Sequence, residues 1–272
     1  MTTLRHGSRG PSVERLQRDL ARRGHALEPD GVFGPATEAA VRRFQRERGL
    51  VIDGIAGPKT RHALQRGERH PKALCQADLV DAAEQLEVEL AAVMAINEVE
   101  SRGTGFHHGG PRHNAPVILF ERHIMRRRLI HHEISPVEHQ RRHPGLVNDR
   151  PGGYIGGPEE HRRLELAAEI HAGAAIESCS WGLFQIMGFH WERLGYANAS
   201  AFQEAMRAGE AEQLAAFVRF IERDRALHAA LKRHDWRDLA RRYNGPAFER
   251  NDYDTKLQSA HRRHARALET AA

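Results

Sequence analysis

Asp30-Gly31-Val32-Phe33-Gly34-Pro35-Ala36-Thr37-Glu38-Ala39-Ala40-Val41 is followed 23 residues later by Asp53-Gly54-Ile55-Ala56-Gly57-Pro58-Lys59-Thr60-Arg61-His62-Ala63-Leu64, and six of the twelve positions are identical. Each copy reads as an Asp-Gly turn, a Gly-Pro break and a helix start. Thr37 and Thr60 stand where a cap or first-turn residue belongs, just after a proline. Upstream, Val13, Leu16, Gln17 and Leu20 recur at spacings of three and four, which predicts a helix that Gly24 stops. Between the copies, Ala39, Ala40, Val41 and Phe44 predict one face of a second helix, ended by Gly49. The expectation is a three-helix unit with two structured turns and a core of Leu16, Leu20, Val32, Phe33, Val41, Phe44, Val51, Ile55 and Leu64.

Gly10, Val13, Leu16, Gln17, Leu20, Gly24, the two Asp-Gly turns, Phe44-Gln45 and Gly49-Leu50 together resemble the peptidoglycan-binding domain of cell-wall hydrolases, over residues 4–64. The resemblance implies recognition of bacterial peptidoglycan in a groove near the turns. Gly67 and Pro71 interrupt the pattern, so we place this domain at 1–67 and a linker at 68–76.

A chain of 272 residues leaves ample length for a second domain over 77–272. The net charge is +5, and residues 1–70 hold 14 Lys and Arg against 8 Asp and Glu. A basic module suits a polyanionic partner, whether nucleic acid, anionic lipid or bacterial envelope. With the wall-binding resemblance, contact with an anionic envelope or membrane is expected and nucleic acid is not. An arginine-biased composition explains the charge equally well, since only four of the 41 basic residues are lysine. Cys75 and Cys179 are expected to be buried thiols. The 19 histidines include the pairs His107-His108 and His131-His132, but no His-Glu-x-x-His or Cys-x-x-Cys spacing, so neither metal nor cofactor is expected. No run approaches the roughly 20 apolar residues of a membrane span. Met1 to Gly7 has no apolar stretch to act as a secretory signal. The expectation is a monomer made in the host cytoplasm that reaches the periplasmic wall after another protein permeabilises the membrane.

The helical stretch from Ala77 to Arg102 carries the first candidate chemistry. At about 100° per residue, Leu86, Leu90, Val93, Asn97 and Glu100 fall within about 80° of one another on the apolar stripe, and Glu98 lies away from it. A carboxyl among apolar neighbours at the negative end of a helix resists ionisation, which suits a general acid. An ion pair with one of the arginines is the bland alternative. Glu98 is the reserve.

Downstream stand Ser178-Cys179-Ser180-Trp181-Gly182-Leu183-Phe184-Gln185-Ile186-Met187-Gly188 and Arg242-Tyr243-Asn244-Gly245. With Glu100-Ser101 these pieces resemble, in order, the lysozyme-like fold of goose-type lysozymes and lytic transglycosylases. Asn97 to Gly103, Ile118-Leu119-Phe120-Glu121-Arg122-His123 and Ser180 to Gly188 are more closely similar to the N-acetylmuramidase domain of modular bacteriophage endolysins. The fold class implied is mainly α, a three-helix binding domain followed by a helical lysozyme-like catalytic domain. The resemblance selects Glu100 as the catalytic acid. Glu121 is a second carboxylate, for water positioning or charge stabilisation, or else an arginine partner. Ser101, Tyr154, Ser180, Trp181, Gln185, Tyr243 and Asn244 are the candidate substrate contacts. Each has a structural alternative: Trp181 stacks on a sugar or belongs to the core, and Gln185 serves substrate or satisfies buried backbone.

Gly152 to Gly157 reads as a glycine-flanked loop over the cleft, with Tyr154 expected to line it. Helices are expected at 162–177, 200–206, 210–227 and 236–242. Lys256 to Leu268 is a basic amphipathic helix that either packs one face or disturbs an anionic membrane. The reading is a hydrolase of the β-1,4 bond between N-acetylmuramic acid and N-acetylglucosamine. The alternatives are a lytic transglycosylase giving anhydro products, a catalytically inactive wall-binding protein and, third, a zinc amidase or peptidase.

Overall fold

Proline sets where the first helices begin. The computed structural model describes residues 3–101, 103–245 and 252–270, and within it α1 (Pro11–Arg22), α2 (Pro35–Glu47) and α3 (Pro58–Arg66) each follow a glycine N-cap. Proline there forfeits no hydrogen bond, because the first-turn N–H groups have no partner within the helix. The three helices enclose Val13, Leu16, Leu20, Phe33, Val41, Phe44, Ala56, Ala63 and Leu64.

The repeat is a repeated hydrogen-bond knot. The Gln17 amide donates to Asp30 Oδ1 (2.7 Å), Val32 O (3.1 Å) and Thr37 Oγ1 (3.0 Å), and its oxygen accepts from Gly31 N (2.9 Å). The Gln45 amide does the same with Asp53 (2.7 Å), Ile55 O (3.0 Å), Thr60 (3.2 Å) and Gly54 N (2.9 Å). Two of the expected core residues, Val32 and Ile55, are only half-buried. They lie in extended segments bridged to Arg9 and Leu4, where side chains alternate sides, so Phe33 and Ala56 turn inward instead. Ala39 is likewise exposed.

The next stretch forms two helices, α4 (Gln76–Leu86) and α5 (Leu90–Glu100). Glu87 takes φ 51° and ends α4 in the left-handed conformation, so Leu86 does not share a face with α5 as the continuous wheel had it. All side chains from Ala91 to Asn97 are buried, and only the last turn, Glu98 to Glu100, opens outward.

The chain then builds a second compact unit, Thr104–Arg225, before returning to the first, which comprises Met1–Gly103 and Ala226–Ala272. The second unit holds an antiparallel sheet of β1 (Ile118–Phe120), β2 (Cys179–Trp181) and β3 (Ile186–Met187), with Leu119 opposite Ser180 and Trp181 opposite Ile186. Around it lie α6 (Arg122–His131), α7 (Val137–Arg142), α8 (Glu160–Glu177), α9 (Ala199–Ala208) and α10 (Glu210–Glu222). α8 is kinked at His171, whose Nδ1 accepts from Ala174 N (3.0 Å). Back in the first unit, α11 (Arg225–Lys232), α12 (Trp236–Asn244) and α13 (Tyr253–Glu269) follow. The stretch 210–227, expected as one helix, is thus divided at Arg223-Asp224. α13 buries Leu257, Ala260 and His264 and packs along α5, so the basic C-terminal helix uses its apolar face internally. Helix accounts for 58% of the described residues. No described helix is long and apolar enough to cross a membrane. Both cysteines are free, and burial pushes the Cys179 thiol well up.

Candidate active site

Glu100, Ser101 and Tyr243 belong to the first unit, and Glu121, Tyr154, Ser180, Trp181 and Gln185 to the second. Glu100 is the final residue of α5 and is half-buried, with Ser101 as its cap in extended conformation. Tyr243, near the end of α12, is its electrostatic neighbour. Burial pushes the Tyr243 phenol well above its ordinary value, and the Glu100 carboxylate and then Tyr253 push it further. A carboxyl and a phenol that keeps its proton therefore meet from positions 143 residues apart. Asn244 lies in α12, and its side chain falls outside the described residues.

Glu98 has a different environment. His264 Nε2 lies 2.9 Å from Oε2, and Arg263 (2.7 Å) and Arg5 (3.3 Å) reach Oε1. Burial works to raise the carboxyl, but the His264 hydrogen bond and the charges of Arg263, His264 and Arg5 outweigh it and hold Glu98 below the ordinary range. A triply paired carboxylate held below the ordinary range is unsuited to donate a proton near neutral pH.

A cavity of about 410 Å³ in the first unit runs past Asp53, Ile55, Pro58 and Lys59 of the second repeat to Asn97, Glu98 and Ser101 of α5. The two repeat aspartates therefore differ. Asp30, fully exposed, is lowered by the Gln17 and Val32 hydrogen bonds. Asp53 is raised, because burial exceeds the lowering effect of Ile55 and Gln45.

In the second unit, Glu121 directly follows β1 and is the N-cap residue of α6, with its N–H on Ser178 O (2.9 Å). Its two oxygens accept from the Tyr154 hydroxyl at 3.0 and 2.8 Å, and His123 Nδ1 is 3.2 Å from Oε2. Burial raises the Tyr154 phenol first, and the hydrogen bond and charge of Glu121 add to it, so Tyr154 remains a donor. Tyr154 is 46% exposed, which leaves this pair open to solvent. Ser180 Oγ donates to Gln185 Oε1 (2.9 Å), and the Gln185 amide donates to Gly182 O (2.8 Å) and Val117 O (3.4 Å). Gln185 takes φ 52°, and its amide closes the turn it occupies. Trp181 is fully buried and its indole N–H is bound to Ile176 O (3.0 Å), so the sugar-stacking role expected of it is corrected: this ring is core.

The N-acetylmuramidase family model matches residues 89–265, and the model of a putative peptidoglycan-binding domain matches residues 9–64. The chain belongs to the N-acetylmuramidase family. The crystal structure of an endolysin from Burkholderia AP3 phage superposes with TM-score 0.91 at 49% identity, covering 97% of this chain and 100% of that one. The SleB N-terminal domain is 39% identical over 24% of this chain and 92% of its own, with TM-score 0.24. No curated protein matches. The muramidase is a glycoside hydrolase that acts on peptidoglycan, and its alternatives as transglycosylase or inert binding protein find no support.

Several residues that shape the candidate site of the second unit escaped the sequence reading. Glu160 is fully buried, its Oε2 accepting from Phe120 N (3.0 Å) and Arg163 Nη1 (2.8 Å), its Oε1 from Ile155 N (2.8 Å) and Gly156 N (2.9 Å). Burial would raise this carboxyl, but the backbone donors of Gly156, Phe120 and Ile155, joined by Arg163, hold it below its ordinary value. Arg163 also donates to Phe120 O and Gly145 O (2.8 Å each), and Arg122 to Arg150 O and Pro151 O (2.9 Å each). Glu160 thus ties Ile155 and Gly156 of the glycine loop to Phe120 at the end of β1, while Arg163 and Arg122 hold the segment before that loop at Gly145, Arg150 and Pro151. Gln213 closes the other turn: its Oε1 accepts from Leu183 N (2.8 Å), and a Cβ on Gly182 would meet its amide carbon at 2.4 Å. Gly182, at φ 70°, is therefore required for steric as well as conformational reasons. The only local hint of Glu160 was an acidic pair after Gly-Gly-Pro, which reads as an ordinary helix start.

Proposed function

We propose that this muramidase is an endolysin that cleaves the β-1,4 bond between N-acetylmuramic acid and N-acetylglucosamine, with Glu100 as the general acid. The observation that carries the assignment is the setting of Glu100: a half-buried carboxyl ending a helix otherwise enclosed by apolar packing, beside a phenol that retains its proton. A glycosidic oxygen is a poor leaving group and needs a proton as the bond breaks, with positive charge developing on the sugar. Glu100 supplies that proton, and its conjugate base then takes one from the attacking water. Tyr243 orients the carboxyl. For Glu121 the proposed role is to stabilise developing positive charge or hold water, with Tyr154 fixing both of its oxygens. Ser180 and Gln185 shape the turn beside β1, while Ser101 contacts substrate where the cavity ends, and Asn244 is assigned a substrate contact by resemblance alone.

The wall-binding region is assigned to 1–67, the linker to 68–76 and the catalytic region to 77–272. The groove for the polymer is the cavity beside the second Asp-Gly turn, which carries both cationic (Arg5, Lys59) and anionic (Asp53, Glu98) lining. Endolysin action places the enzyme in the host cytoplasm until the membrane is permeabilised, then at the periplasmic wall, as a monomer. Its basic N-terminal segment favours contact with the anionic envelope.

The test is digestion of purified peptidoglycan, borohydride reduction and mass spectrometry of the fragments. Reduced muramic acid ends are expected. Anhydro-muramic ends would make the enzyme a transglycosylase, and reduced glucosamine ends would move the cut to the neighbouring bond. Near-full activity in Glu100→Gln would remove Glu100 from the chemistry.

A further inference from the structure

Three side chains from separate segments of the first unit meet at the start of α5, the helix whose last residue is Glu100. Glu89 is the N-cap of α5, His234 lies in the turn between α11 and α12, and His261 sits on α13. Glu89 Oε2 is 3.1 Å from His261 Nε2, and the rings of His234 and His261 are 4.5 Å apart. One ligand atom from each of the three lies within 4.8 Å of the others. Trp236 packs against both rings, stacked on His234 at 5.3 Å with an interplanar angle of 7° and 5.1 Å from His261. His234 takes φ 54°, where a non-glycine residue is uncommon.

We propose that Glu89, His234 and His261 form a binding site for a divalent transition-metal ion of the zinc class. Donors sharing a tetrahedral zinc at 2.0–2.2 Å stand about 3.3–3.6 Å apart. The Glu89–His261 pair, at 3.1 Å, is within a few tenths of an ångström of that spacing, and rotation of side chains brings in the third. Two imidazoles and one carboxylate leave a fourth position for water, and nitrogen donors disfavour magnesium and calcium, which take oxygen. The indole holds the two rings before any ion arrives, so little side-chain freedom is lost on binding. The bland reading of the cluster is a histidine–carboxylate pair under an aromatic lid, and it predicts no stoichiometric affinity. The proposed ion would fasten the start of α5 to α13 and to the turn after α11. It would act as a clip on the helix whose far end carries Glu100, with no part in hydrolysis. Sequence spacing hides the site, because its ligands span 172 residues.

The test is calorimetric titration of the chelator-stripped full chain with Zn²⁺, alongside Co²⁺ absorbance in the visible. One site is expected, with Tm rising by about 5–10 °C at a hundredfold excess over Kd. His234→Gln and His261→Gln should each weaken it by at least about tenfold. Glu89→Gln should do the same, and since Glu89 is 62% exposed this variant leaves the apo fold intact. Unchanged Zn²⁺ binding in Glu89→Gln and in the double histidine variant would overturn the proposal, as would wild-type binding no tighter than millimolar.

Discussion

Glu160→Gln changes one oxygen to an amide nitrogen in the most enclosed carboxylate of the second unit. The amide oxygen can still accept from Ile155 and Gly156. Its NH₂ then faces Phe120 N–H and the Arg163 guanidinium, donor against donor, at positions now 3.0 and 2.8 Å from a carboxylate oxygen. Arg163 is itself 5% exposed, so its charge loses a buried partner with little recourse to water. Removing one member of a buried pair costs about 3–5 kcal/mol. At about 4 °C per kcal/mol for a unit of this size, the Tm should fall by about 10–20 °C. The pH dependence has a definite sign. The folded pKa of Glu160 is depressed, so its stabilisation is complete above the unfolded value of about 4.3 and disappears as pH falls through the folded value. Differential scanning calorimetry of wild type and variant from pH 7 to pH 3 should give curves separated by a constant gap down to about pH 5 that closes in more acid solution. A variant melting within 2 °C of wild type at neutral pH, or a gap that persists unchanged at pH 3, would refute the account of Glu160 as an ionised anchor.

Glu100→Gln should reduce fragment release from peptidoglycan by about 10²–10⁴-fold with an unchanged melting curve, the range expected when a general acid is lost. Glu98→Gln should leave activity within about tenfold and reduce stability at neutral pH, a difference that vanishes in acid as the wild-type carboxylate protonates; circular dichroism melts at two pH values check both signs. Tyr154→Phe removes the one hydroxyl donor that the two Glu121 oxygens share, at a solvent-exposed position. It should lower kcat by about ten- to a hundredfold with little change in Tm, and an unchanged kcat would release Glu121 from its proposed role. Trp181→Ala should destabilise by about 3–5 kcal/mol in urea titration while KM of the folded fraction stays constant, as a core ring requires.

The wall-binding repeat was legible because its determinants are local: Asp-Gly, Gly-Pro and a glutamine one helix earlier all act within about 20 residues. Its errors were errors of phase. Val32 and Ile55 are apolar, but a single bridge pair decides which of two adjacent extended residues points inward. The helical wheel through Leu86 failed at Glu87, a residue with no strong breaker signal that nevertheless takes the left-handed conformation as the cap of α4. The sheet escaped notice because strands of two or three residues carry no measurable alternation. Trp181 was ambiguous in principle, since an indole in a Gly-rich string suits a cleft or a core equally. Glu160 was beyond reach: its donors come from Phe120, Ile155, Gly156 and Arg163, and only the folded chain assembles them.

The path of the chain between its two units has a consequence for synthesis. By the time Arg225 has been translated, every residue of the second unit exists, while α5 still lacks α13, the helix that covers it. At about 5–20 residues per second, residues 226–269 take a further 2–9 s, roughly, to appear. During that interval Ala91 to Ile96, all destined for burial, are without their cover, and Glu98 is without Arg263 and His264. Nascent chains stalled after residue 225 should therefore be protease-sensitive around α5 and enzymatically silent. The helix bearing Glu100, the proposed acid, is covered only when α13 arrives, so on the ribosome competence for wall cleavage has to wait for a helix made more than 150 residues after it.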